Sequence, residues 1–181
     1  MPTPESSHDP RARRTRALLC QAFVQLVLER GLDSVTVCAV ASRARVGRST
    51  LYLHYRGLRG LLEATLDRPC AALAAATQPG FDPALLLPQL EHFREQAHRN
   101  AAYFREPIRR IWVTQLARHI RDGRIRGRAR SRRTATLPED LRCLALAEAM
   151  LALVARWVQR PRAASAGALS RALVALGVAM A

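Results

Sequence analysis

Arg48, Ser49 and Tyr52 follow one another at spacings of one and three residues. At about 100° of helical rotation per residue, they fall within one arc of about 100°. Such an arc carries a guanidinium fork that suits guanine, a hydroxyl that can serve any base, and a phenol at phosphate height. Leu51 and His54 fall on the opposite side of the same helix. Two short helices are needed to hold this surface out. Thr36 is placed to N-cap the first, its hydroxyl accepting from amides two or three residues on. Val37, Val40, Ala41 and Ala44 give that helix a buried face. Arg45-Val46-Gly47 breaks it, and the second helix runs from Arg48 to Tyr55. This is the helix-turn-helix pattern, whose second helix enters the major groove with its first turn against the base edges.

The residues Val35-Thr36-Val37, Val40-Ala41, Ala44-Arg45-Val46, Thr50-Leu51-Tyr52-Leu53-His54-Tyr55 and Leu61-Leu62 resemble the N-terminal DNA-binding domain of the TetR family of bacterial repressors. Phe23, Gly31 and the turn after it fit the family's first helix, so the resemblance spans Arg14 to Leu66. It implies that Arg48 and Ser49, with Thr50 beside them, meet bases. It implies that Thr36, Gly47 (through its amide), Tyr52 and His54 meet phosphates or support the recognition helix. Three positions depart from the family. Arg45 stands where Gly is usual and is expected to take positive φ. Leu58 stands where a phosphate-binding Lys is usual, which leaves that role to Arg59. Leu53 replaces a common aromatic, and suits a thymine methyl or a sugar.

All 29 basic residues of the 181 are Arg, and with 14 acids the net charge is +15. That balance favours a polyanionic partner through counterion release. Cys20, Cys38, Cys70 and Cys143 are scattered without metal-ligand spacing, so they are expected to be small buried residues in a reducing cytoplasm, with Cys38 the candidate redox sensor. The first residues lack the apolar core of a signal peptide, and no uncharged stretch nears the ~20 residues that span a bilayer. A cytoplasmic protein without membrane partners is expected.

Residues 1–10 read as a disordered tail, 11–57 as the DNA-binding domain and 58–181 as an effector-binding and dimerisation domain. Arg11, Arg13, Arg14 and Arg16 lead into a first helix with Leu19, Phe23, Leu26 and Val27 buried and Gly31 as C-cap. They could reach the minor groove or simply be solvated. A helix from Leu58 to Ala76, which joins the two domains in the resembling family, ends at Gln78-Pro79-Gly80. Asp82 then caps a helix running to Arg99, with Leu86, Leu90, Phe93 and Ala97 inward. Glu95 and His98 have the spacing of a di-iron motif, but they point away from that stripe, so no metal is expected. Phe93, Tyr103, Phe104 and Trp112, with Arg109 or His119 as polar anchor, are the candidate effector site. Ordinary core is the competing reading for each.

Arg118 to Arg133 holds eight arginines against Asp122 alone and is expected to be a solvated loop or frayed helix end. The helix opened by Leu137-Pro138-Glu139-Asp140 is apolar nearly all round and must be covered on both sides. Arg156-Trp157-Val158 there resembles, more weakly, the effector domains of the same family. The last helix, from Ser165, has Leu169, Leu173, Leu176 and Met180 on one stripe, with Val174 and Val178 beside it. A homodimer through these last two helices is expected.

The reading is an all-α protein: a three-helix helix-turn-helix domain followed by a larger helical domain. It is expected to act as a repressor that binds a palindromic double-stranded DNA operator as a homodimer and is released by a small-molecule effector. The alternative is a basic architectural or RNA-binding protein acting through its arginine-rich segments. No cofactor is expected, and no catalytic motif is present: there is no nucleophile elbow, phosphate loop or dinucleotide fingerprint.

Overall fold

The computed structural model describes residues 9–95, 104–127, 137–160 and 162–180. The protein is all-α. The chain divides into two compact units, Met1–Thr65 and Leu66–Ala181.

In the first unit, α1 (Pro10–Arg30) begins where Asp9 Oδ1 accepts from the Arg11 N–H at 2.9 Å. The expected tail lies outside the described residues up to position 8; Asp9 and Pro10 belong to the helix start. Arg11, Arg13 and Arg14 are exposed on its first turns, so this basic segment is helical. Leu19, Phe23, Leu26 and Val27 are buried, at the i, i+3, i+4 spacing of one face. Gly31 ends the helix at φ 77°, with its N–H on the Val27 carbonyl. A short 3-10 turn (Leu32–Ser34) leads to α2 (Val37–Arg43) and α3 (Arg48–His54). α4 (Gly57–Ala75) starts in this unit, where Leu61 and Leu62 are buried.

The second unit takes the rest of α4, a 3-10 turn (Pro83–Leu86) and, among the described residues, four further helices. These are α5 (Leu87–Glu95), α6 (Ile108–Gly127), α7 (Glu139–Gln159) and α8 (Ala166–Ala179). Asp82 does cap, accepting from the Ala84 N–H at 2.9 Å, but the first turn after it is 3-10 rather than α. Leu86, Leu90 and Phe93 point inward; Ala97, His98 and Arg99 lie outside the described residues.

One expectation for this unit is corrected, and the inward face of its last helix is now defined. The basic stretch from Arg118 continues α6 to Gly127 instead of forming a loop, and residues 128–136 lie outside the described residues. Internal partners are the reason: Arg124 donates to the Met180 carbonyl at 2.8 Å and meets Glu139 at 3.4 Å, and Arg118 meets Asp67 at 3.7 Å. The inward face of α8 is Ala166, Leu169, Ser170, Leu173 and Gly177, with Leu176 and Met180 only half-buried. The rotation follows from close approach. A Cβ at Gly177 would stand 2.7 Å from Thr77 Cα, and Ser170 donates to the Pro83 carbonyl.

Candidate nucleic-acid interface

The Thr36 hydroxyl accepts from the Ala39 N–H at 3.1 Å, which fixes the start of α2. Val40, Ala41 and Ala44 are buried against the unit's core, and Val37 is half-buried. The turn closes as a Schellman motif. The Arg45 N–H donates to the Ser42 carbonyl at 3.1 Å and the Val46 N–H to the Ala41 carbonyl at 3.0 Å. Arg45 takes φ 55°, the left-handed position usually held by glycine. Gly47 then caps α3 in extended backbone without a side-chain bond.

On α3, Leu51 is buried and anchors the helix. Arg48 and Ser49 are exposed, Tyr52 is 60% exposed and Leu53 78%. Thr50 and His54 are half-buried. Burial, helped by the nearby Arg16 charge, lowers the His54 pKa and so favours the neutral ring. Tyr55 closes the helix: its hydroxyl lies 3.2 Å from Cys20 Sγ and donates to the Arg16 carbonyl at 3.5 Å. This fastens the end of α3 to α1. Arg59, the proposed substitute for the missing lysine, is largely exposed but pairs with Glu63 at 3.0 Å.

Three features here go beyond the sequence reading. Arg43 forks onto Glu29 at 2.8 and 2.9 Å, tying α2 to α1. The Cys20–Tyr55 contact has no local signature, because its partners are 35 positions apart. Cys38 is exposed rather than buried, since it falls on the outer side of α2, and its Sγ lies 3.8 Å from Arg48 Nη1. Cys70 and Cys143 are buried, and burial raises the thiol pKa of Cys20, of Cys143, and of Cys70, where it reaches about 12. These three are thiols rather than reactive thiolates.

In the second unit, Phe93, Phe104 and Trp112 are buried together with ring centroids 5.6–6.2 Å apart. Trp112 Nε1 has no partner among the described residues. Tyr103 lies outside the described residues. Arg109 is paired with Glu148. His119 Nε2 meets Asp67 at 2.9 Å, and the ring borders a groove of about 380 Å³ with Ala71, Ala74, Ala75, Gln78, Gly123 and Arg126. Glu91 pairs with Arg94 at 2.5 Å. No cluster of three potential metal ligands occurs among the described residues. Nor is any described helix long and apolar enough to cross a membrane.

Residues 20–65 match the family model described as bacterial regulatory proteins, tetR family. No curated protein matches the chain significantly. Solved structures share its fold at low identity. A TetR-family regulator from Streptomyces coelicolor A3 is 20% identical, over 96% of this chain and 98% of that one, with TM-score 0.63. A TetR transcriptional regulator from Streptococcus agalactiae 2603V is 21% identical, over 91% and 94%, with TM-score 0.56. The dihydroxyacetone kinase operon activator DhaS is 18% identical, over 91% and 94%, with TM-score 0.55. The segment that carries the helix-turn-helix just described thus matches the tetR family of bacterial regulatory proteins, and the whole chain shares the fold of solved TetR-family regulators.

Proposed function

We propose that this DNA-binding regulator is a homodimeric repressor. Its paired α3 helices read a palindromic operator, and a small molecule taken up by the C-terminal unit releases it. The observation that carries the reading is the exposed arc of Arg48, Ser49, Tyr52 and Leu53 over a buried Leu51. Arg48 and Ser49, with Thr50, meet base edges, and Leu53 meets a thymine methyl or sugar. Thr36, the Gly47 amide, Tyr52, neutral His54 and Arg59 hold phosphates. Half-site centres lie one helical turn apart, ~34–36 Å, or a multiple of it.

An apolar outer face supports the dimer. On α7, Leu141, Leu144, Ala145, Ala152 and Leu153 are exposed, and on α8 Ala172, Ala175 and Val178. A second copy turned by a two-fold axis offers the same face in return. The buried Trp112 Nε1, without a partner among the described residues and set among Phe93 and Phe104, supports ligand uptake in the same unit. Release requires the ligand to bind the two conformations with different affinity.

Selection of bound sequences from random duplex DNA tests this reading. It should return an inverted repeat that survives random competitor DNA at fixed salt. Recovery of no consensus, or a preference for RNA, would favour an architectural role instead. Against that role, Arg109, Arg118 and Arg124 are already engaged by acids of the same chain.

A further inference from the structure

We propose that the groove between α4 and α6 in the C-terminal unit binds a small organic anion: a carboxylate or phosphate head on a short apolar body. This rests on the reading of that unit as ligand-responsive and names the ligand's class.

The groove has an apolar floor and a cationic end. Ala71, Ala74 and Ala75 line it from α4, and His119, Gly123 and Arg126 from α6. At about 380 Å³ it falls at the small end of the range for small-molecule sites.

The arginines of α6 are otherwise spoken for. Arg109 pairs with Glu148, Arg110 with Glu106 at 3.9 Å and Arg118 with Asp67. Arg121 pairs with Asp122 at 4.0 Å and Arg124 with Glu139. Arg126 alone on this helix faces the groove without an acid among the described residues.

Gln78, just beyond α4, brings a second donor to the same space. A Cβ at Gly123 would stand 2.7 Å from its Nε2, so the missing side chain is what lets the amide lie there. His119 adds an imidazole whose Nε2 is held by Asp67. Among the described residues no carboxylate lines the groove. A guanidinium fork and an amide over a bed of methyl groups match an anionic head with a small hydrocarbon body.

Isothermal titration of the full chain with benzoate, octanoate and phenyl phosphate tests this, with benzamide, octanol and inorganic phosphate as matched controls. The organic anions should bind at least about tenfold more tightly than their neutral or body-less matches, and more weakly as salt rises. Arg126→Ala should weaken them about tenfold. Gly123→Leu, which fills the groove on a helix that gains propensity, should abolish binding while the thermal melt stays intact. Should Gly123→Leu not fold, the exposed Arg126→Ala decides alone. The proposal is overturned if no organic anion binds, if the matched controls bind equally well, or if Arg126→Ala binds as the parent does.

Operator affinity measured with and without the bound anion separates the two readings. Binding without any change in operator affinity would leave the site standing and remove its role as effector. Failure of the unliganded protein to select any operator would instead remove the proposed function.

Discussion

The two units leave opposite kinds of surface unsatisfied. In the first, the side chains that project from α3 are polar or bare: Arg48, Ser49 and Tyr52, with Leu53 beside them. In the second, several arginines are drawn back onto the chain, Arg109, Arg118 and Arg124 among them. Arg124, with a side chain only 11% exposed, is held by Glu139 and the Met180 carbonyl, while leucines and alanines face outward from α7 and α8. One surface therefore suits a hydrated polyanion and the other suits removal from water. The difference teaches that a density of arginine in a sequence is not a measure of available charge. What counts is whether an acid or a carbonyl of the same fold already holds each guanidinium.

The comparison breaks most visibly at the outward apolar face. Ala152→Glu together with Ala175→Glu places four carboxylates in the proposed two-fold interface without touching the monomer's core. Dimer dissociation should rise at least about a hundredfold, with a parallel loss of operator affinity. Sedimentation equilibrium reads the first and gel shift the second. A wild-type monomer, or a double variant that stays dimeric, would refute this assignment of the face.

Arg124→Ala sharpens the contrast between held and available arginines. It leaves Glu139 (19% exposed) with one partner fewer and the Met180 carbonyl with only the longer bond from Arg142, at 3.3 Å. The expected cost is about 2–3 kcal/mol in chemical denaturation, whereas Arg48→Ala should change stability by less than about 0.5 kcal/mol. Equal costs would erase the distinction drawn above.

Smaller effects follow at the helix boundaries of the first unit. Thr36→Ala removes the cap on the Ala39 N–H and should destabilise by about 1 kcal/mol. Arg45→Gly should stabilise by up to about 1 kcal/mol, because φ 55° costs a residue with a Cβ what it does not cost glycine. Thermal melts rank the two, and a destabilised Arg45→Gly would mean that the arginine side chain contributes more than its backbone costs.

Local chemistry made much of the first unit legible before any coordinates. Thr36 caps α2, Gly31 ends α1, and Arg45 sits in the left-handed region because a Schellman turn needs that conformation whichever residue occupies it. The all-α class and the buried stripe of α1 follow from periodicity alone. What escaped the sequence depends on partners distant along the chain. The inward turn of Gly177 and Ser170 is set by Thr77 and Pro83, roughly a hundred positions away along the chain. The helical course of Arg118 to Gly127 is supported by Asp67, Glu139 and Met180, which a window around the arginines does not contain. Cys38 looked apolar by its neighbours, but one residue of rotation puts it outside.

The central claim is that side chains on the outer arc of α3 read bases. Binding free energies of the wild type and Arg48→Ala, measured against every single-base variant of the selected operator, test it most directly. The account predicts that Arg48→Ala loses ~1–3 kcal/mol of discrimination at one position in each half-site and keeps its preferences elsewhere. Tyr52→Phe, run beside it, should weaken every sequence alike. A specificity profile unchanged by the loss of Arg48 would contradict the claim.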